Sequence, residues 1–418
     1  MEAIISDAPQ PLANYTEAFK VGNLVFAAGQ LASDFVSGVP QEAKINKAFP
    51  FYGSDIKQQT RYILENLKTT FAAADSSLEN VVKAQVFLTD LKDFNAFDEV
   101  WREFFPTNPP ARTTLEIPLL LGAGSEQLVE IDLIGHTNAV SHDVIKSSAP
   151  QPLANYTEAY RVENLVFAAG QLASDFETGI PSVAKVDPNF PYYGSNIKLQ
   201  TRYILDNLKK TFEAANSSLA NVVKAQIFLT NLNDFNAFDE VWKEYFPENP
   251  PPRTTVGVSG LLGTGPDMLI EIDLIAHTHD TTHTICKSDA PQPKANYSEA
   301  FVVDGILFAA GQVPSDFVTG VPKEASINKA FPFYGSEIKR QSDYTLANLT
   351  TTFKGAGTSL DNAFKAQVFL TDLKDFNGFD EVWKEYFSGN PPARTTVETT
   401  GLLLPDALVE IDLIGEVG

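Results

Sequence analysis

The apolar positions of this chain fall into short runs and two longer stripes. Ala18-Phe19-Lys20-Val21 and Leu24-Val25-Phe26-Ala27-Ala28 flank the turn pair Gly22-Asn23 and together predict a hairpin. Gly29-Gln30 ends the second run, where a glycine permits a bulge or a close backbone approach. Residues 34–54, with Gly38, Pro40, Pro50 and Gly53, predict a long loop. Ser54-Asp55 then caps a helix whose stripe is Ile56, Thr60, Ile63, Leu64, Leu67 and Phe71. Residues 80–89 are β-rich and predict a strand. Residues 94–105 predict a second helix with Phe97, Val100, Trp101 and Phe104 inward, broken by the prolines of 106–110. Strands follow after Arg112 and over 128–134. The order β-β-α-β-α-β-β predicts an α+β domain, a mixed sheet with two helices on one face.

The pattern is written three times. Asn108-Pro109-Pro110-Ala111-Arg112-Thr113-Thr114 precedes Leu128-Val129-Glu130-Ile131-Asp132, and both segments return around Arg253 and Glu271 and around Arg394 and Glu410. The arginines are evenly spaced (253 − 112 = 394 − 253 = 141), whereas the last two glutamates are closer (410 − 271 = 139). A period near 140 residues is the length of a domain, so the chain is a tandem triplication. The expected domains are 1–135, 149–276 and 290–418, with polar linkers at 136–148 and 277–289. Each domain leaves one sheet face apolar. Three such faces bury one another if the domains pack around a pseudo-threefold axis as an intramolecular trimer of one chain.

The linkers hold all five histidines, His136, His142, His277, His279 and His283. An exposed polar linker accounts for them better than a metal cluster, since the first linker has no matching set. Cys286, the single cysteine, excludes an intrachain disulfide and favours a reducing, cytoplasmic setting. The first residues lack a signal-peptide pattern. No apolar run approaches the roughly 18 residues a membrane span needs. The net charge of −22 and the want of basic runs disfavour a nucleic-acid partner. The expected partner is a small-molecule carboxylate, bound without metal or organic cofactor.

That expectation rests on the repeated arginine and glutamate. Arginine offers a planar fork of donors that fits a carboxylate. A nearby glutamate can take a proton from water and return it to a leaving amine. The bland alternative is a structural ion pair between neighbouring strands. Asp132 shares a strand face with Glu130, so it either raises a carboxylate pKa there or faces solvent. Tyr15, Tyr156 and Tyr297 fit a pocket or a core equally well, and Trp101, Trp242 and Trp383 read as core. The copies differ: Gly257 stands where the others have Glu116 and Glu398, Pro252 where they have Ala111 and Ala393, and Asp343 where they have Arg61 and Arg202. Every copy keeps its tyrosine, arginine and glutamate.

The hairpin through Gly29-Gln30, the run Lys83-Ala84-Gln85-Val86-Phe87-Leu88-Thr89-Asp90-Leu91-Lys92-Asp93-Phe94 and the Pro-Ala-Arg-Thr-Thr…Val-Glu-Ile-Asp segment resemble the RidA (YjgF) family of imine and enamine deaminases, in all three repeats. The resemblance implies chorismate-mutase-like domains with sites in the clefts between neighbours. It implies that Arg112, Arg253 and Arg394 anchor the substrate carboxylate and that Glu130, Glu271 and Glu410 orient water. It implies that Tyr15, Tyr156 and Tyr297 line the pocket, with backbone at Gly29, Gly170 and Gly311. Thr114, Thr255 and Thr396 stand where many members have cysteine, and Ala13-Asn14-Tyr15-Thr16 replaces a frequent Gly-Pro-Tyr-Ser. The loop with Phe49-Pro50-Phe51-Tyr52, repeated at Phe190-Pro191-Tyr192-Tyr193 and Phe331-Pro332-Phe333-Tyr334, is longer and more aromatic than in short members. The implied reaction is hydrolysis of 2-imino or enamine acids to 2-oxo acids and ammonia. A larger imine or enol, tautomerised or cyclised, is the runner-up; an RNA-cleaving or ligand-binding role ranks lower.

Overall fold

The computed structural model describes residues 1–46, 48, 53–122, 126–263, 265–328, 330 and 335–418. In the first repeat the elements are β1 (Glu2–Ile4), β2 (Ala18–Val21), β3 (Leu24–Ala27), β4 (Gln30–Leu31), α1 (Asp55–Ala73), β5 (Val81–Leu88), α2 (Phe94–Phe104), β6 (Ala111–Glu116) and β7 (Val129–His136). The hairpin, both helices and the three later strands match the sequence pattern. The sheet order is β1-β2-β3-β7-β5-β6, with β5 and β6 parallel and the other neighbours antiparallel. The mixed sheet recurs in the second and third repeats. No described helix is long and apolar enough to cross a membrane.

Alternation along β5 sorts its side chains. Ala84, Val86 and Leu88 pack with Ile63, Leu67, Phe97 and Trp101 between sheet and helices. Lys83, Gln85 and Phe87 point to the other face. There the three repeats meet. Phe19, Phe26, Phe167, Phe301, Phe308 and Phe364 share one buried apolar cluster drawn from all three sheets.

Beside this cluster lies a polar layer. Lys83 is paired with Asp273 at 2.6 Å, Lys224 with Asp412 at 2.5 Å and Lys365 with Asp132 at 2.6 Å. Gln85 donates to Gln226, Gln226 to Gln367 and Gln367 to Gln85. The contacts therefore run from repeat 1 to 2, from 2 to 3 and from 3 back to 1. Asp132 is thus not a solvent-facing strand residue. It is 3% exposed and bonded to lysine and threonine of repeat 3. Strand edges also pass between repeats: Gly260 and Leu261 pair with Glu116 and Leu115, and bridges join Val256 to Leu402 and Val397 to Leu120.

The stretches 136–148 and 277–289 are more ordered than linkers. His136 closes β7, and His142–Ile145 forms an edge strand on Ala159–Val162 of the second repeat. Thr284–Cys286 does the same in the third, burying Cys286. His136 and His277 are 1% and 3% exposed, each bonded through Nε2 to His142 or His283 at 2.8 and 2.9 Å. Edge strands this short carry too few alternating positions to betray a buried face, so polar composition read as linker. Phe49-Pro50-Phe51-Tyr52 and Phe331-Pro332-Phe333-Tyr334 lie outside the described residues. In the second repeat Phe190 and Tyr192 are 60% and 95% exposed, so these two do not wall a buried pocket.

Candidate active site

The predicted residues come together, but not within a repeat. Arg112 aligns with Ala84 across β5 and β6, on the helix side of the sheet. Glu130 aligns with Phe87 across β5 and β7, on the opposite side. The arginine and glutamate of one repeat therefore point away from each other, and the bland reading of an ion pair between neighbouring strands fails. Arg112 instead acts on Glu271 of the next repeat. Arg253 likewise meets Glu410, and Arg394 meets Glu130. Each cleft joins the edge strand and second helix of one repeat to the inner sheet face of the next.

The guanidinium is held on all sides. Phe94, Phe97 and Trp101 of its own repeat and Tyr156 of the next have ring centres 5.2–5.6 Å from the Arg112 guanidinium carbon. Arg253 and Arg394 have the same four-ring setting, completed by Tyr297 and Tyr15. The tyrosines are thus pocket walls donated by the next repeat, and the tryptophans serve core and site together. Arg112 Nη2 donates to Asp98 Oδ1 at 2.9 Å, and Asp380 holds Arg394 at 2.8 Å. Arg253 Nη2 lies 2.9 Å from Asp239 Oδ1. Burial lowers the proton affinity of each arginine, and the aspartate opposes that. Nε and Nη1 of Arg112 and Arg394 are buried without a protein partner. A fixed cation with free donors, shielded from water, can receive a carboxylate.

The glutamate faces it. Burial, then the neighbouring aspartate two residues on, push Glu130 and Glu410 up to about 8 and Glu271 well above the ordinary value. Lysine, arginine and a backbone N–H from Thr396, Thr255 or Thr114 oppose the rise. That N–H gives the second threonine its place in the site. Burial and the glutamate also raise the tyrosine hydroxyls, which stay protonated. In the second cleft Arg253, Thr255, Tyr297, Gly311 and Glu410 all line one cavity of about 390 Å³.

Gly29, Gly170 and Gly311 are there for space. A Cβ on Gly170 would fall 2.1 Å from Glu271 Oε1 and 2.7 Å from Thr113 Oγ1. Thr113 is pinned by Asp273 at 2.5 Å, so the carboxylate is what must move. Gly170→Ala is expected to cost the first cleft about tenfold or more in turnover. The check is ammonia release in a chain silenced elsewhere by Arg253→Ala and Arg394→Ala; a loss under twofold would contradict it.

Several site residues escaped the sequence reading. Asp98, Asp239 and Asp380 sit within the buried arc of the second helix and appear in all three copies. Thr113, Thr254 and Thr395 donate to Asp273, Asp412 and Asp132. Lys83 and Gln85 mark the inner face at alternate strand positions. An acid on an apolar stripe, and two polar residues two apart in an apolar strand, were the available signals.

The model of the family described as endoribonuclease L-PSP matches residues 5–137, 146–278 and 287–417. A RutC family protein of Pyrococcus abyssi is 40% identical over 134 residues, covering 32% of this chain and 94% of its own. Protein HMF1 of Saccharomyces cerevisiae is 36% identical over 137 residues, covering 33% of this chain and 95% of its own. The 3-aminoacrylate deaminase RutC of Acinetobacter baylyi is 34% identical over 134 residues, covering 32% and 95%. With near-complete matches in each third of its length, the chain belongs to the endoribonuclease L-PSP family, that of the RutC and RidA proteins, and carries three tandem copies of its domain.

Proposed function

We propose that the protein hydrolyses 2-imino or enamine acids to 2-oxo acids and ammonia, working as a self-contained trimer with a site in each cleft. The carrying observation is the buried arginine with free donors facing a buried glutamate of elevated pKa. The substrate carboxylate docks on the free guanidinium donors of the arginine, which fixes the C=N carbon. Glutamate takes a proton from water as its oxygen attacks that carbon. The same proton goes to nitrogen and leaves a carbinolamine; the hydroxyl proton then passes by way of the glutamate to the amine, the C–N bond breaks, and ammonia leaves a 2-oxo acid. Water is the only co-reactant. The deaminase name of one relative agrees with this reading. The net charge of −22 speaks against RNA as substrate. A cavity of about 390 Å³ walled by Phe235, Phe317, Leu403 and Leu404 suits acids longer than three carbons.

The test is acceleration of ammonia release from 2-imino acids formed in situ by an amino-acid oxidase; rates equal to buffer alone would end the proposal. The pH profile is the sharper check. The working carboxylate is the deprotonated form, which grows as pH rises towards about 8 in the clefts of Glu130 and Glu410. The value of kcat/KM should rise about tenfold per unit below that point and level off above it. A plateau already at pH 6 would remove glutamate from the role of base.

A further inference from the structure

The three clefts share a centre but not a rim. Lys294 stands where the other repeats have Leu12 and Leu153. It lines the cavity of the second cleft together with Arg253, Tyr297 and Glu410. Leu153 lines the mouth of the first cleft beside Tyr156, and Leu12 and Leu153 are 78% and 73% exposed, so neither is a core residue. Lys294 makes no ion pair with the described residues, unlike Lys243 on the same cavity, which is tied to Asp239 at 2.9 Å.

A second difference has the same sign. Glu116 lines the first cleft and is held by the Leu91 N–H at 3.3 Å; Glu398 is held by the Leu373 N–H at 2.8 Å. Repeat 2 has Gly257 there, pressed against repeat 3 so closely that a Cβ would fall 2.5 Å from Thr400 Oγ1. A side chain there would have to displace Thr400, and the glycine leaves the position without an acid. Compared with the first cleft, the second gains a free cation and loses an anion. Its wall differs too: Leu404 takes the place of Gly122 and Gly263, at the head of a loop two residues shorter.

We propose that the second cleft takes imino or enamine acids carrying a second anionic group, while the first and third take uncharged side chains. This rests on the hydrolase reading above and assigns a substrate class to one of its sites. Arg253 holds the α-carboxylate, and the Lys294 ammonium meets the distal carboxylate at the cavity rim. Fusion makes this division possible. In a homotrimer every substitution appears in all three clefts, whereas a single chain of three repeats can vary each one separately.

The experiment uses full-length chains with one working cleft. Arg112→Ala with Arg394→Ala leaves the second; Arg253→Ala with Arg394→Ala leaves the first. Each is given the 2-imino acids formed in situ from glutamate and from leucine. The glutamate-to-leucine ratio of kcat/KM is expected to be about fivefold higher in the second-cleft chain, and to shrink with added salt. Lys294→Leu should bring that ratio down to the first-cleft value, and Leu153→Lys should raise the ratio of the first cleft. Equal ratios in the two chains, or a ratio unmoved by Lys294→Leu, would overturn the proposal. Calorimetric binding of 2-oxoglutarate against 4-methyl-2-oxopentanoate to the same chains separates the two claims. A binding preference that Lys294→Leu abolishes, with no imine turned over, would keep the specificity and sink the hydrolase; equal affinities would sink the specificity whatever the turnover.

Discussion

Replacing Arg112 and Glu271 together should cost no more activity than replacing Arg112 alone, whereas replacing Arg112 and Glu130 should cost about twice as much. The first pair belongs to one cleft, so losing the second residue of a silenced site changes nothing further. The second pair belongs to one repeat but to two clefts, because Arg112 lies on the helix side of its sheet and Glu130 on the inner side. On a leucine-derived imine the first and third clefts carry most of the turnover, so disabling either removes about half of it. Arg112→Ala should therefore leave about half, Arg112→Ala with Glu271→Ala the same, and Arg112→Ala with Glu130→Ala only the small contribution of the second cleft. Replacing all three arginines should leave only the buffer rate. Ammonia release at saturating substrate reads every member of the series. The reverse pattern, with the Arg112 and Glu130 replacements behaving as one, would mean that each repeat builds its own site and would sink the arrangement in clefts.

How far the sequence reached is visible in these same residues. Helix and strand positions were legible because period and turn residues are local: Gly22-Asn23 makes its hairpin and the stripe from Ile56 to Phe71 makes its helix whatever surrounds them. The triplication was legible because identical motifs recur at even spacing. The partner of each arginine was not. It depends on β5 lying between β6 and β7, and on which sheet face each residue takes, and both are set by long-range pairing. The inner polar layer was hidden for a related reason. Lys83, Gln85 and Asp132 look like the wet side of a strand, and only a second and third copy can turn that side into an interior. Thr113 shows the limit at single-residue scale. Its neighbour Thr114 drew attention by standing in place of a cysteine, while Thr113 is the one whose hydroxyl holds the buried Asp273.

Lys365→Met should be among the most damaging single changes to stability, at about 3–5 kcal/mol. Lys365 Nζ donates to Asp132 Oδ2 at 2.6 Å and to the Ala27 carbonyl at 2.5 Å, with lysine and aspartate side chains 5% and 4% exposed. Removing the cation strands a carboxylate in the interior, which costs far more than the pair itself contributes. The pair therefore looks dispensable only when both halves go: Lys365→Met with Asp132→Leu should recover most of the loss. The location sharpens the effect. Repeats 1 and 2, and 2 and 3, are joined by peptide, whereas repeats 3 and 1 close on each other through contacts alone. The midpoint of urea unfolding reads the stability, and a single variant within about 1 kcal/mol of the parent, or a double variant no better than the single, would contradict the account. A second readout separates positioning from mere destabilisation. Lys365 lowers the proton affinity of Glu130, so its loss should move the pH midpoint of the third cleft upward in a chain kept active only there by Arg112→Ala and Arg253→Ala. A chain that was simply less stable would lose amplitude with that midpoint unmoved. The lysine thus ties closure of the ring to the protonation of the group that activates water, so one buried pair serves the fold and the chemistry at once.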